Sequence, residues 1–255
     1  CIPFTPVTSN KILLRDPSDK ESATEIIKHA INLTNEKNYS SLHFHFIKSE
    51  ELNLFKNCGL IKREDCQFHW FNHDYHSFDQ FLMAMTSSKR KKIRRERRKI
   101  IEQNIYFKWR NGSEINKEKW KTIYNLISMT FYKKGSSPYF SYEFFIEISK
   151  KIPSAIMVIT AENNDKTIGA AVFFVGTEGL YGRYWGTDEG YDSLHFETCY
   201  YQGIEYCIKN NLKYFEPGTG GEHKISRGFV PNKTFSAHYL SNPTFSSAIK
   251  KYLQK

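Results

Sequence analysis

Two segments in the C-terminal third of this 255-residue chain concentrate side chains able to move protons. The first, residues 183–205, reads RYWGTDEGYDSLHFETCYYQGIE. It passes from a strand pattern through a polar loop into a helix pattern. The N-terminus of such a helix offers free backbone N–H groups to an anion or a polarised carbonyl. His195 and Glu197 fall in its first turn, and Glu197, Tyr201 and Glu205 share one face at i, i+4, i+8 spacing, with Tyr200 beside them. Carboxylates and phenols on a helix that packs against a sheet are candidates for general acid or base. The plainer reading is a satisfied polar face with an acid favoured by the helix dipole. Arg183, Tyr184 and Trp185, at the end of the preceding strand, are candidates for holding substrate.

The second segment, residues 216–228, reads EPGTGGEHKISRG: four glycines and five ionisable side chains at the end of a strand. Ligands of α/β sheets bind outside the carboxyl ends of strands. Gly218, Gly220 and Gly221 would let a ligand approach the backbone, Glu216 is a candidate for holding substrate, and Lys224 and Arg227 could hold a phosphate or carboxylate. Glu222 and His223 are acid/base candidates. The GxxxxGK[ST] order of a phosphate-binding P-loop is absent. A tight loop with solvated charges is the plainer alternative.

A third cluster, His69, His73 and His76 near Cys58 and Cys66, suggests a metal only weakly. The two cysteines have seven residues between them, a spacing that fits no common zinc module. No metal and no tightly bound cofactor are expected.

The charge is concentrated as well. The chain has 37 Lys and Arg against 27 Asp and Glu, a formal +10. Residues 89–99, KRKKIRRERRK, carry nine basic residues and one Glu, a net +8; the other 244 residues are nearly neutral. Such a run invites nucleic acid through phosphate neutralisation, and a solvated helix face or an acidic partner is the alternative. Hydrophobics at 40% and aromatics at 16% exclude a disordered chain. The longest apolar run, near residues 168–175, is far short of the roughly 18–20 residues that span a bilayer. The five cysteines (1, 58, 66, 199, 207), odd in number and without CxxC spacing, read as reduced thiols of a cytoplasmic protein.

These residues need elements to position them. Residues 22–34 have helical spacing, with Ser22 and Glu25 as a capping box. Strands are expected at 42–47 and 65–71, with a short helix at 50–57 between them. Residues 78–103 read as one long helix with a thin apolar stripe and basic residues on every other face. A strand at 105–109 and helices at 117–131 and 142–151 follow. Three strands (156–161, 167–175, 180–185), a helix at 194–209, strands at 213–216 and 234–240, and a helix at 245–253 complete the chain. The alternation predicts a layered α/β fold.

The order of parts resembles a known group. Residues 78–175 are similar to the Fem-type peptidoglycan aminoacyltransferases: Arg90, Ile93 and Arg94 on a helix leading into a strand, a helix running through Thr130 to Gly135, the aromatic pairs Tyr139-Phe140 and Phe144-Phe145, and a hairpin through Ile168-Gly169-Ala170-Ala171. Three further stretches (180–186, 195–202 and 215–229) resemble the predicted N-acyltransferases of the GNAT superfamily linked by name to peptidoglycan biosynthesis or recognition. Residues 3–6 (PFTP) match that family well inside its chains. The resemblance spans nearly the whole sequence. It implies an N-terminal part upstream of residue 1 and tandem GNAT-like α/β (α+β) folds: residues 1–75 finish the first, and 76–255, with the basic helix 78–103, form the second.

The implied activity is transfer of an acyl or aminoacyl group to an amine, in one version that of a peptidoglycan precursor. GNAT enzymes that use acetyl-CoA place a Gly-rich Arg/Gln-x-x-Gly-x-Gly/Ala loop before the central helix. Here that loop, residues 186–193, has acids and two glycines. The donor is therefore left open between aminoacyl-tRNA and acyl-CoA. From the residues themselves, Glu197 or Glu222 is the expected proton acceptor, with His223 as the alternative and His195 beside them. Arg90, Arg94, Arg95, Arg97 and Arg98 are the expected contacts of a tRNA. The other function to weigh is a non-catalytic GNAT-like module that binds a cell-wall precursor or RNA.

Overall fold

The computed structural model describes residues 5–188 and 190–253; Cys1 and Pro3 of the opening motif, and Glu189 of the 186–193 loop, lie outside them. In chain order the elements are α1 (Lys20–Glu36), β1 (Ser41–Ile47), α2 (Leu52–Asn57), β2 (Ile61–Phe71), α3 (Phe78–Met83) and α4 (Ser87–Glu102). Then come β3 (Tyr106–Asn111), α5 (Lys117–Tyr132), α6 (Tyr142–Lys151), β4 (Ile156–Asn163), β5 (Lys166–Val175) and β6 (Gly179–Thr187). Helix α7 (Leu194–Phe196) passes through a π turn (Glu197–Tyr201) into α8 (Gln202–Lys209), followed by β7 (Tyr214–Glu216), β8 (Val230–Leu240) and α9 (Pro243–Leu253).

The chain divides into two compact units, Cys1–Gln67 with Asn232–Lys255, and Phe68–Pro231. The sequence places one boundary near residue 75 and keeps everything after it together. In the structure β8 pairs antiparallel with β1, Ser41 opposite Leu240 and His43 opposite His238, so the C-terminal strand and helix fall in the first unit. That unit packs Ile27 of α1, Ile47, Phe55, Leu60 and Ala237 into its own core. Helix α1 starts earlier than its expected capping box. Asp19 is the cap, its carboxylate accepting from the Ser22 N–H at 2.9 Å.

The second unit is a sheet that starts from the end of β2, at Phe68, and runs in the order β2-β7-β6-β5-β4-β3. All its pairs are antiparallel except β6 with β7. Both faces are covered, so its central strands are near-continuous apolar runs rather than alternating ones. Met157, Ile159, Ala171 and Phe173 face Ile93, Tyr200, Tyr201 and Ile204 on one side. Ile156, Val158, Ala170 and Val172 face Trp120, Ile123, Ile127 and Phe145 of α5 and α6 on the other.

The long helix expected over 78–103 is two helices. The chain breaks at residues 84–86, and the Arg90 guanidinium donates to the carbonyls of Leu82, Met83 and Met85 around the break. Nor are all non-apolar positions of α4 solvated: Ile93, Glu96 and Ile100 are its buried face. Among the described residues no helix is long and apolar enough to cross a membrane, and Cys58, Cys66, Cys199 and Cys207 are free thiols.

Candidate active site

Strands β6 and β7 pair over only three residues each, Gly179 with Tyr214, Leu180 with Phe215 and Tyr181 with Glu216. The ladder ends there, and Pro217 is the next residue to lie against β6, at Gly182. β6 continues to Thr187 on β5, while the chain after Glu216 turns away through Gly218, Gly220 and Gly221, all at positive φ. Helix α7 begins beside this opening. The loop before it is anchored by Gly186, where a Cβ would sit 2.0 Å from the Leu126 carbonyl oxygen; only glycine lets β6 lie so close to α5.

The π turn distributes the side chains of residues 195–201 between two sets of neighbours. One set lines the opening. The Tyr200 hydroxyl and His223 Nε2 are 2.9 Å apart. His195 packs against Trp185, Phe196 and Tyr200, with ring centroids 5.3–5.6 Å apart, and Phe196 also meets His223. The two candidate segments are thus joined side chain to side chain. The other set faces α4: Glu197 meets Arg97, and Tyr201 donates to Glu96.

Electrostatics separate these groups. Burial pulls the His195 imidazole down to about 4, and His223, Arg227 and Lys224 push the same way, so the ring is neutral at pH 7. Its Nδ1 is buried with no hydrogen-bond partner among the described residues. His223 is also lowered, first by partial burial and then by Arg227 and Lys224. Burial raises the Tyr200 phenol, which stays protonated across the physiological range. Lys224, 2% exposed, donates through Nζ to the Gly218 carbonyl at 2.6 Å, and burial pulls it down to about 8. Burial lowers His69 to about 4, so its 3.9 Å approach to Glu216 is not an ion pair at neutral pH.

Several expected site residues do something else. Arg227 is buried and grips Glu96 with two nitrogens, at 2.6 and 3.2 Å, while Tyr201 donates to the same carboxylate. Its guanidinium stacks on Phe196, 3.3 Å from the ring centroid, and donates to the His223 carbonyl at 2.8 Å. Arg227 and Tyr201 therefore brace the loop from behind. Tyr184 lies buried among Phe131, Phe140 and Phe145 on the opposite face of the sheet. Arg183 lies over the rings of Tyr139 and Tyr184. Glu222 is exposed and does not join Glu197 in one cleft.

Glu197 is 2% exposed, and burial raises its pKa against the pull of Arg97. Its Oε1 takes the Gln202 amide at 2.8 Å and Arg97 at 3.1 Å. Gln202 in turn accepts from the Trp109 indole at 2.7 Å. Glu197 is thus held on the α4 side of its helix, away from the Tyr200–His223 pair.

The basic run is partly internal. Arg97 joins Glu197 and Glu205, Lys92 donates to Ser226 at 3.0 Å, and Lys99 pairs with Asp192. Arg94, Arg95 and Arg98 remain exposed, with Arg94 3.7 Å from Asp79. Sequence reasoning passed over Glu96, Phe196 and Gln202. Glu96 carried a signal, since it shares the 3/4/7 stripe of Ile93 and Ile100 in an otherwise cationic run. Among the described residues no three His, Cys, Asp or Glu side chains are disposed to hold a metal.

Solved structures share this fold at low sequence identity. The C-terminal domain of a putative lysylphosphatidylglycerol synthetase from Agrobacterium fabrum matches with TM-score 0.64 at 10% identity, over 92% of this chain and 79% of that one. FemX matches with TM-score 0.59 at 12% identity, over 98% and 85%. A tandem GNAT protein from the clavulanic acid biosynthesis pathway matches with TM-score 0.54 at 10% identity, over 93% and 76%. No curated protein matches the chain in sequence. The fold is α/β and of the tandem-GNAT kind. Residues 1–255, the whole chain, match the FemAB-like family, described by peptidoglycan biosynthesis/recognition, and the chain belongs to that family.

Proposed function

We propose that the protein transfers an acyl or aminoacyl group from an activated donor to an amine, with an amine of a peptidoglycan-related acceptor as the substrate class. The observation that carries this reading is the Tyr200–His223 hydrogen bond at the point where the β6–β7 ladder ends. Aminolysis of an activated acyl group needs a proton acceptor for the attacking nitrogen and a donor for the oxyanion. With the His223 Nε2–H donating to the Tyr200 oxygen, Nδ1 is left to take the amine proton. The Tyr200 hydroxyl can then donate to the carbonyl oxygen as it becomes negative. The C–N bond forms, the bond from the acyl carbon to its carrier breaks, and the carrier leaves with the proton held on His223. Glu197 and Glu222, the carboxylates expected as base from the sequence, are left out: Arg97 and Gln202 engage the one, and among the described residues no hydrogen bond joins the other to Tyr200 or His223.

The family description and the fold shared with FemX support the reading. A tRNA-borne donor would meet the exposed Arg94, Arg95 and Arg98 of α4, while Arg97 serves Glu197. The test is to incubate the full chain with labelled aminoacyl-tRNA or acyl-CoA and amine acceptors that include peptidoglycan stem peptides. Turnover is expected with one donor, falling about 10²–10⁴-fold in His223→Ala. Tyr200→Phe should lower kcat with little change in KM. Binding without turnover for every donor, or full turnover in a His223→Ala Tyr200→Phe variant, would overturn it. Arg94→Glu, Arg95→Glu and Arg98→Glu together should abolish tRNA binding; unchanged binding would remove tRNA as the donor.

A further inference from the structure

A second site lies elsewhere in the Phe68–Pro231 unit, at the break between α3 and α4. A cavity of about 250 Å³ is lined there by Trp70, Tyr75, Phe81, Met85, Thr86 and Lys89. Its walls are aromatic: Trp70 and Phe81 meet edge to face at 5.9 Å between centroids, Tyr75 and Phe81 at 5.6 Å, and Trp70 and Tyr75 are 6.2 Å apart. Trp70 is 1% exposed, yet its indole N–H has no acceptor among the described residues. A buried donor left unmade costs about 1–3 kcal/mol, so natural structures seldom leave one without a purpose.

The mouth of the cavity is a helix start. Thr86 is the N-cap of the 16-residue α4, and its side chain caps none of the first-turn amides. The positive end of the helix dipole and the Lys89 ammonium lie at the same place. Arg90 pins the break through the carbonyls of α3, so the mouth is built in advance. Gly228 completes the wall: a Cβ there would lie 2.6 Å from the Phe81 ring. Apolar walls, one buried donor and a cationic rim make up the composition of a small-ligand site.

We propose that this cavity binds a small aromatic anion, a single ring bearing a carboxylate or a phosphate. The ring lies among Trp70, Tyr75 and Phe81. An acceptor atom of the ligand meets the Trp70 N–H, and the anionic group meets Lys89 and the first turn of α4. The volume is below the ~300–1,000 Å³ of sites for drug-sized molecules, which limits the ligand to one ring. The site shares no lining residue with the Tyr200–His223 pair and does not depend on the transfer reading.

The test is titration of the full ¹⁵N-labelled chain with phenyl phosphate and with benzoate, read by the indole N–H resonances and by tryptophan fluorescence. Inorganic phosphate and phenol are the controls. Saturation with at least one aromatic anion in the millimolar range or below is expected, with the Trp70 indole resonance moving most. Each control should bind at least tenfold more weakly. Trp70→Phe keeps a ring and removes the donor, and should weaken binding about 5- to 10-fold. Lys89→Met lies on the rim, leaves the core intact, and should weaken binding comparably. Absence of saturation by about 10 mM overturns the proposal, as does equal affinity in Lys89→Met or equal binding of inorganic phosphate. Which head group binds more tightly identifies the source class as carboxylate or phosphate.

Discussion

Glu96 and Arg227 stand 131 residues apart in sequence and are buried against one another, with Tyr201 as the third member. Replacing Arg227 by Met removes two charge-assisted donors from a carboxylate that retains 9% side-chain exposure and leaves Tyr201 to satisfy it. Breaking a buried pair from one side costs about 3–5 kcal/mol. Loss of the bond to the His223 carbonyl adds about 1 kcal/mol. Glu96→Leu should cost a similar amount by stranding the guanidinium. In the double variant Glu96→Leu Arg227→Met neither charge remains, and its loss should fall well short of the sum. The coupling should exceed about 2 kcal/mol, where independent sites add within about 0.5 kcal/mol. Urea unfolding followed by circular dichroism and tryptophan fluorescence measures all three. With a slope near 2–3 kcal/mol per molar, Arg227→Met should move the midpoint down by about 1.5–2 M. An additive cycle, or a midpoint shift under about 0.3 M for Arg227→Met, would show that the three groups do not act as one brace.

Other expectations follow from the same geometry. Lys224 is held near 8 when folded against 10.5 for the free side chain. The unfolded chain therefore carries the extra proton between these values, and the Lys224 contribution to stability should rise with pH from about 8 to 10.5, by roughly 3 kcal/mol. Lys224→Met should remove that rise in pH-dependent melting; a parallel curve would refute it. Glu162 is drawn down to about 2: burial opposes the charge, but Lys108, Lys119 and Thr160 outweigh it by hydrogen bonding. Its contribution is complete above pH 4.5 and lost as pH falls toward 2, so Glu162→Gln should flatten acid unfolding over that window. Gly186→Ala should lower Tm sharply, because its Cβ meets backbone of α5, whereas Gly190→Ala, with nothing within 4 Å, should change Tm little. Equal Tm values for the two would remove the close-approach argument.

Regular elements were largely legible because apolar spacing reports burial, and every strand and helix named from the sequence has a counterpart. The break between α3 and α4 was not legible, since Phe78, Phe81, Leu82, Met85 and Ile93 continue one stripe across it. What bridges the break is a guanidinium from the following helix, which the apolar stripe does not report. The two site segments were legible as clusters of ionisable groups, but not which members meet. His223 reaches Tyr200, 23 residues away, while among the described residues no hydrogen bond joins the exposed Glu222 to Tyr200 or His223. The cationic run misled in a physical way. Charge density looks solvated in a sequence, yet Arg97 is turned inward because Glu197 is buried beneath it.

The π turn has a consequence for length. A turn with i→i+5 bonding holds one residue more than the α-helix that would cover the same arc. Removing one residue between 197 and 201 would restore regular winding over that same arc, whereas keeping the residue and winding it as plain α-helix would rotate everything before it by about 100° relative to everything after. In that wound form His195 and Phe196 would swing off the opening even as Ile204 and Cys207 kept their places in the core. The bulge thus absorbs one residue without a change of phase. A relative that differs by a single deletion here presents the same side chains to the same opening.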